Sequence, residues 1–361
     1  MLVQFISQKG EGLEHLARHS GYDRLTAFFI GAQPPPTVVF QPPRGWYGSL
    51  TALPRALARR LVTHSAGGWY SLSSFVRIEL MVARQWLGKQ HTVFHLLHGE
   101  SHFRHLGLLT TRVRTNRLVA SFHLPPTRLQ ELMPQPHWLA DLDAIIALGR
   151  KQAAWLAQWM PLHKVHFVPH GIDTDFFCPG PQAADADSMY HCIFVGAHLR
   201  DFQMVNEIIQ RINASKTGRQ VHFDVVTLPS RRAEFEQLPS TTVHSRLSDE
   251  ALRDLYRRAS LLLQPLKDCV ANNTVLEGMA CGTPVVVTDV GDIRDYADEL
   301  SAEFVASGDS KAMAEAVCRL LEEPVKLHAK REAARQRAEG FAWPQIVKQL
   351  TSIYRNLWMD W

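Results

Sequence analysis

The sequence predicts an α/β protein built from two Rossmann-like domains, each with a parallel sheet. Three observations indicate this class. The chain has 361 residues, more than the roughly 250–300 that one hydrophobic core holds. Apolar strand-like runs alternate along it with amphipathic helical stretches. Hydrophobic residues make up 46% and charged residues 20%, a globular mixture that excludes disordered and collagen-like classes.

The first half has the pattern of one such domain, which we assign to residues 1–169. An opening strand is predicted over residues 2–7, and Ser20-Gly21-Tyr22 precedes a helix through Leu25 and Phe28. A Pro-rich loop follows, from Gln33 to Arg44. A helix over residues 151–160 lies among four further strands, which are predicted at residues 93–97, 118–122, 144–148 and 165–168.

The second half repeats the pattern, and we place the boundary near Pro169–Gly171. A polar stretch from Pro179 to Asp187 reads as a linker, and residues 170–345 form the second domain. Its helix over residues 249–258 has Ser248 as N-cap and two acids in its first turn. Residues 346–361 are predicted to form a helix that packs back toward the first domain. The strands of the second domain are predicted at residues 192–195, 222–226, 259–263 and 284–288.

The net charge of +4 is unevenly distributed. Residues 1–165 contain 18 Lys and Arg against 8 Asp and Glu, whereas the remaining residues contain 21 against 27. A basic first half joined to an acidic second half predicts an anionic surface or ligand as the partner of the first domain.

Targeting signals and cysteine usage both predict a cytoplasmic protein. The first residues lack the basic region of a signal peptide, and no stretch approaches the ~20 apolar residues that span a bilayer. The five cysteines are an odd number without close paired spacing, which disfavours a disulfide framework or a zinc site.

The most informative segment runs from Asp268 to Val287. It predicts a strand end, a polar loop, a short helix from about Thr274, and a Gly-Thr-Pro turn into a β-branched strand. The free N–H groups at the start of such a helix form an anion site. Glu277 is expected in the first turn, where its carboxylate can accept hydrogen bonds from ribose hydroxyls. These features describe a nucleoside-diphosphate pocket, although Glu277 could also serve only to stabilise the helix.

Two segments resemble the retaining GT-B glycosyltransferases of family four, also called glycosyl transferases group 1. They are Val168 to Phe177 and, nearly completely, Leu276 to Val286. The resemblance covers residues 170–345 and extends only weakly into the first half. That family includes many bacterial polysaccharide and lipid glycosyltransferases. It implies two Rossmann-like domains that face each other across a deep cleft.

The family's donor motif contains two glutamates, and this chain keeps one of them. By resemblance, Glu277 is the glutamate that holds the nucleotide ribose. The first glutamate should lie eight positions earlier, where this chain has Cys269. Asp268 could place a carboxylate near the sugar instead. The loop before the helix would supply backbone N–H groups and amides to the sugar and phosphate, through Asn272, Asn273 and Thr274.

The resemblance implies further donor contacts in the second domain. Gly196 ends a strand and Arg200 follows it, where the family places a cation that stabilises the leaving diphosphate. A guanidinium suits this task because it is always charged and binds bidentately; the alternative is a surface Arg at a helix start. The turn with Arg246 and Leu247 corresponds to the one whose backbone contacts the base.

In the first half, Gly21 corresponds to the family's glycine-containing loop, which often meets the acceptor or phosphate. His123 follows a strand end and would lie near the transferred sugar; alternatively, it is a structural histidine. His98, Glu100 and His102 suggest a metal, but no carboxylate–histidine set completes them and the family needs none. We therefore expect neither a metal nor another cofactor.

The sequence lacks the motifs of several other classes of ligand-binding protein. The chain has no Gly-x-Gly-x-x-Gly, Walker-type loop or nucleic-acid module, which disfavours a dehydrogenase and nucleic-acid binding. The two Asp-x-Asp sequences, at Asp141 and Asp173, are interpreted as structural.

The expected reaction is transfer of a hexose from a UDP- or GDP-sugar to a hydroxyl of a glycan, lipid-linked or small-molecule acceptor, with retention. His123, Arg200 and Asp268 are the residues expected to take part in catalysis. A GT-B epimerase or phosphorylase, or a non-catalytic nucleotide-sugar sensor or assembly partner, remain alternatives. Basic residues of the first half could contact the inner face of an anionic membrane beside Trp46 and Trp69: Arg55, Arg59, Arg60, Arg112, Arg114 and Arg117.

Overall fold

The computed structural model describes residues 2–9, 18–29, 37–40, 82–102, 115–134, 136–180, 189–215 and 220–359. These residues form two compact units, which meet in sequence between Val168 and Pro169. Residues 347–359 group with the first unit, and residues 18–24 group with the second. The segment with Ser20 and Gly21, which the sequence placed in the first domain, therefore packs among residues of the second unit.

The first unit contains a six-stranded parallel sheet. Its strands are β1 (Leu2–Lys9), β2 (Thr37–Phe40), β3 (Thr92–Leu96), β4 (Arg117–Phe122), β5 (Ala144–Ala147) and β6 (Val165–Phe167). Their order across the sheet is β2-β1-β3-β4-β5-β6. Strand β2 lies within the stretch that the sequence predicts as a Pro-rich loop. Its four residues contain no proline, and it lies at the sheet edge, where flanking prolines are tolerated.

Strands β3, β4 and β5 are buried along their whole length, as expected for the centre of a parallel sheet covered on both faces. The helices described in this unit are α1 (Leu25–Phe28), α2 (residues 82–88), α3 (Gly99–His102), α4 (Pro126–Leu132) and α5 (Arg150–Leu156).

The second unit contains another six-stranded parallel sheet, in the order β12-β11-β10-β7-β8-β9. Its strands are β7 (Met189–Val195), β8 (Gln220–Val226), β9 (Thr241–His244), β10 (Leu261–Gln264), β11 (Val285–Thr288) and β12 (Ala302–Val305). The short outer strands β9 and β12 were not predicted from the sequence. The other four match predicted strands to within about three residues.

Seven helices follow in the part of the chain from Pro169 onward that the structure describes. They are α6 (Phe202–Ala214), α7 (Asp249–Arg258), α8 (Asn273–Ala280), α9 (Ile293–Tyr296), α10 (Ser310–Glu322), α11 (Pro324–Glu339) and α12 (Trp343–Asn356). Helix α7 has the predicted bounds and the predicted N-cap, Ser248, whose side chain accepts from the Ala251 N–H. No helix of the described residues is long and apolar enough to span a bilayer.

The strand order reverses once in each sheet. In the second unit the chain moves outward from β7 through β8 and β9, and returns to β10 on the other side of β7. In the first unit the corresponding point lies between β1 and β3. Ligands of open α/β sheets bind at the carboxyl ends of the strands at such switch points. The loops that follow β7 and β10 are therefore the first place to look for a site.

Candidate functional site

Two loops meet at the switch point of the second unit. The Asp201 N–H donates to the Pro265 carbonyl at 3.0 Å, and the Lys267 N–H donates to the Leu199 carbonyl at 2.9 Å. Leu199 has φ of 56°, a left-handed conformation that is strained for a residue with a Cβ. These contacts fix the backbone of the residue between them, Arg200.

The Arg200 guanidinium lies at the N-terminus of α8. Its Nη2 donates to Asn272 Oδ1 at 3.3 Å and to Thr274 Oγ1 at 3.1 Å, and its Nε donates to the Val195 carbonyl at 3.1 Å. Within the described ranges it forms no ion pair with a carboxylate. Burial lowers the pKa of Arg200, but a guanidinium still remains charged at neutral pH.

The start of α8 adds to this positive charge. Asn272 is its N-cap, and Oδ1 of that side chain also accepts from the Val275 N–H at 3.3 Å. Asn272 and Thr274 are buried and Asn273 is partly buried. A helix N-terminus beside a guanidinium without an acidic partner is suited to bind an anion such as a diphosphate.

Because Gly196 has no Cβ, the guanidinium of Arg200 can occupy the space beside it. Gly196 has φ of 113°, and a Cβ placed there would lie 2.7 Å from Arg200 Nη2 and 2.9 Å from Nε. A side chain at this position would therefore have to displace Arg200.

Glu277 lies in the second turn of α8, which corrects the expectation of the first turn, because the helix begins at Asn273. The residue is 3% exposed. Ser20 Oγ donates to Oε1, and Tyr256 Oη donates to Oε2 at 3.0 Å. Burial raises the pKa of Glu277, and the hydrogen bonds from the two hydroxyl groups lower it in part.

The segment that carries Ser20 is held in the second unit by several contacts. His19 Nδ1 lies 2.9 Å from Asp173 Oδ2, and its ring stacks on Phe176 at 3.7 Å. Arg24 Nη2 donates to the same carboxylate oxygen at 2.8 Å. Gly21 has φ of 82°, and no atom lies within 4 Å of where a Cβ would stand. The segment therefore presents an open glycine beside the serine that contacts Glu277.

Cys269 occupies the place of the first motif glutamate and does not reproduce its charge. It is 4% exposed, its Sγ donates to the Val270 carbonyl at 3.1 Å, and burial raises the pKa of its thiol to about 12. Asp268 is partly buried, and its Oδ1 accepts from the Cys269 N–H at 2.7 Å. Gly291 packs so closely on this loop that a Cβ there would lie 1.9 Å from the Cys269 carbonyl oxygen.

The remaining predicted donor contacts also lie in the second unit. Arg246 is exposed with φ of 56°, and Leu247 packs against the apolar core that contains Tyr256. Asp173 is bound by His19 and Arg24 and therefore has a structural role, as expected. Within the described residues, no group of three or more His, Cys, Asp or Glu is arranged to hold a metal ion.

His123 lies in the first unit, at the carboxyl end of β4. Its Nε2 donates to the Leu97 carbonyl at 2.6 Å, and its ring centroid is 4.6 Å from that of His98. Glu100 Oε2 accepts from the His123 N–H at 3.4 Å. Burial raises the pKa of Glu100 to about 7. The side chain of His102 is outside the described part of the structure.

The prediction of a basic surface is wrong for one residue, Arg117. Arg117 is buried: its Nε donates to the Leu357 carbonyl at 2.8 Å, and its guanidinium lies 4.6 Å from the ring centroid of Trp358. It is therefore engaged by the end of the chain and does not face a membrane. The other members of the surface, with Trp46 and Trp69, lie outside the described residues.

Comparison with known proteins shows similarity to glycosyltransferases. Residues 190–323 match the family model described as Glycosyl transferases group 1. The chain is 27% identical over 289 residues to D-inositol 3-phosphate glycosyltransferase 1 of Catenulispora acidiphila, covering 70% of this chain and 69% of that protein. It is 32% identical over 225 residues to alpha-maltose-1-phosphate synthase of Mycobacterium tuberculosis, covering 54% and 57%.

Solved structures share the fold. Alr3699/HepE from Anabaena, in complex with UDP and glucose, has a TM-score of 0.72 at 13% identity and covers 99% of this chain and 100% of its own. Sucrose-phosphate synthase from Thermosynechococcus elongatus has a TM-score of 0.70 at 16% identity, with the same coverage.

Proposed function

Since the chain is a glycosyltransferase of the GT-B fold, similar to the glycosyl transferases group 1 family, we propose that it transfers a hexose from a UDP- or GDP-sugar to a hydroxyl acceptor with retention of configuration. One observation carries the choice of donor. Arg200 lies at the N-terminus of α8 without a carboxylate partner among the described residues, and buried Glu277 lies on the same helix. Diphosphate and ribose are the two ligand groups that suit this pair.

The positive charge at this site supplies electrostatic catalysis. The transition state of hexosyl transfer resembles an oxocarbenium ion, and negative charge grows on the departing diphosphate. Donors that are already oriented toward this charge stabilise the transition state without reorganisation. Arg200 and the free N–H groups of α8 fill that role. We therefore propose a reaction that uses no metal and no prosthetic group.

Retention is proposed through attack on the same face from which the diphosphate leaves. Two successive displacements need a carboxylate nucleophile beside the sugar. Cys269 stands where the family's first glutamate would be, and with a pKa of about 12 its thiol stays protonated. Asp268 is the neighbouring carboxylate, and its Oδ1 is engaged by a backbone N–H. In the same-face route, the leaving phosphate oxygen takes the proton of the acceptor hydroxyl.

We propose an anionic acceptor, bound by the basic first half in the cytoplasm. Residues 1–165 carry 18 Lys and Arg against 8 Asp and Glu. Two relatives are named for phosphorylated compounds, D-inositol 3-phosphate and maltose 1-phosphate. An anionic glycan, a lipid-linked acceptor or a small phosphorylated molecule would each match this charge. Peripheral contact with an anionic membrane is part of the proposal, and sedimentation with neutral and anionic liposomes tests it; equal binding to both would refute the membrane contact.

The donor proposal is tested by calorimetric titration with UDP and GDP, followed by assays of nucleoside-diphosphate release from UDP- and GDP-hexoses. We expect micromolar to millimolar binding of one nucleotide and slow release of it from the matching sugar donor. NMR of the product then reports the anomeric configuration. Failure to bind either nucleotide would overturn the donor class, and an inverted product would overturn retention alone.

A further inference from the structure

The Glu277 carboxylate is held from two sides by hydroxyl groups that come from distant parts of the chain. Ser20 Oγ donates to Oε1 across 257 residues, and Tyr256 Oη donates to Oε2 across 21 residues. Because each donor engages a different oxygen, rotation of the carboxylate about its last side-chain bond would break both hydrogen bonds.

In this arrangement the Glu277 carboxylate can accept further hydrogen bonds. Each carboxylate oxygen has two lone-pair directions, and in the part of the chain that the structure describes one donor engages each oxygen, which leaves one direction on each for a ligand. Two adjacent hydroxyl groups, such as the 2′- and 3′-hydroxyls of ribose, present two donors side by side. A carboxylate whose plane is already set can bind such a diol without paying the entropy of orienting itself.

The two donors also favour the charged form of a buried acid. Glu277 is 3% exposed, and Asp249 on α7 adds a like charge nearby; both effects favour the neutral form. Ser20, Tyr256 and the positive charge of Arg200 act in the opposite direction. Asp249 itself is engaged, because its Oδ2 accepts from the His19 N–H at 2.8 Å. Removal of either hydroxyl would weaken an acceptor that the ribose needs.

We propose that Ser20 and Tyr256 are positioning residues that orient Glu277 for the vicinal hydroxyls of a nucleoside-diphosphate ribose, and thereby make the second unit select ribonucleotides over analogues that lack the diol. This inference rests on the proposed function, since it assumes a nucleotide donor. It assigns a role to residues 18–24, whose other contacts, from His19 and Arg24 to Asp173, hold Ser20 in place.

The experiment compares Ser20→Ala and Tyr256→Phe with the unaltered chain by calorimetry, using UDP, GDP and the 2′,3′-dideoxy form of each. Loss of one supporting hydrogen bond is expected to lower affinity for the ribonucleotide about 3- to 10-fold. Affinity for the dideoxy nucleotide, which cannot use Glu277, should stay the same. In a Glu277→Ala background, neither substitution should have a further effect, because the group through which they act is gone.

Two matched variants control for general damage. Tyr296→Phe removes another buried hydroxyl of the second unit, one that accepts from the His170 N–H at 2.9 Å. Ser310→Ala removes another serine that donates to a glutamate, Glu207, at 2.6 Å. Both controls should leave the ratio of ribonucleotide to dideoxynucleotide affinity unchanged.

The possible failures are distinguishable. If Ser20→Ala and Tyr256→Phe lose affinity equally for the ribonucleotide and the dideoxynucleotide, their role is merely structural and the inference is overturned. The same holds if their losses of affinity add to that of Glu277→Ala. Equal affinity of the unaltered chain for both nucleotides would also overturn it, while leaving the donor proposal standing. Absence of any nucleotide binding by the unaltered chain would refute the proposed function and this inference together.

Discussion

The carboxyl ends of the two sheets carry different kinds of charge. In the second unit, Arg200 is a permanent cation at a helix N-terminus, and its position is set by Gly196 and the strained Leu199. In the first unit, the groups after β3 and β4 are two histidines with their rings 4.6 Å apart and Glu100, whose pKa burial raises to about 7. The Arg200 guanidinium keeps its charge near neutrality, whereas the charge of Glu100 changes there.

This difference suggests a division of tasks. A diphosphate is anionic throughout the physiological range, so a fixed cation binds it at any pH in that range. Groups that titrate near neutrality are suited to hydroxyl chemistry, where protons move. We therefore expect the contribution of Arg200 to nucleotide affinity not to change with pH between about 6 and 8, and the charge of Glu100 to change in that range.

The largest effect is expected from Arg200→Ala. Removal of the cation at the proposed diphosphate site should lower kcat/KM for transfer by about 10²–10³-fold, since one preorganised donor to a developing charge contributes that much. Steady-state kinetics with the sugar donor measures this loss. Arg319→Ala, which removes an exposed arginine paired with Glu303, is the control and should change little. A loss below threefold would refute the fixed-cation role.

Gly196→Ala tests whether Arg200 depends on its neighbour. The new Cβ would lie 2.7 Å from Nη2, so Arg200 must move, and we expect transfer to fall about 10-fold or more. Gly308→Ala is the matched control, because Gly308 also has positive φ, 79°, but nothing lies within 4 Å of its Cβ position. Both variants should lose similar stability from backbone strain. Only Gly196→Ala should lose activity, and equal activity in the two would contradict this account.

Glu100→Gln tests the titrating side of the comparison. The pKa of Glu100 in the folded protein is raised from 4.5 to about 7, so folding favours its neutral form. Its stability contribution is therefore full below pH 4.5 and is lost as pH rises through about 7. The uncharged variant should melt a few degrees higher than the unaltered chain at pH 8.5 and at the same temperature near pH 4.5.

Thermal unfolding at the two pH values measures the Glu100 effect, and Glu315→Gln serves as an exposed control that should show no such change. If the melting temperatures of Glu100→Gln and the unaltered chain differ by the same amount at both pH values, Glu100 is not a neutral acid near pH 7.

The smallest effect is expected from Tyr354→Phe, in the structural part of the first unit. His95 is fully buried, with Nδ1 2.5 Å from Tyr354 Oη and Nε2 2.7 Å from Ser121 Oγ. Burial lowers the pKa of His95 to about 3, so the ring stays neutral and its contribution is lost only as pH falls below about 6.5. Loss of the tyrosine hydroxyl should cost about 1 kcal/mol, seen as a lower melting temperature at pH 7.5.

Ser352→Ala, at an exposed position of the same helix α12, is the control for Tyr354→Phe and should have little effect. An equal decrease in both variants would show that the loss does not come from the buried hydrogen bond of Tyr354.

Much of the candidate site was predictable because its information is local. The polar loop, the start of α8 and the strand after it lie within twenty residues, and apolar runs and caps report such elements directly. Arg200 was predicted from the resemblance to the group 1 glycosyltransferases, which place a cation shortly after this strand. The short strands β2, β9 and β12 were missed because four residues carry too little pattern, and they become strands only by pairing with a neighbour.

The sequence by itself determined the α/β class, the central strands of both sheets, the helix that carries Glu277 and the uneven charge of the two halves. The tertiary structure alone decided that Arg200 has no described acidic partner, that Arg117 is buried, and that Ser20 and Tyr256 meet on Glu277. The reason is physical. Propensity and periodicity act over about one element, whereas contacts between side chains far apart in sequence depend on how whole elements pack.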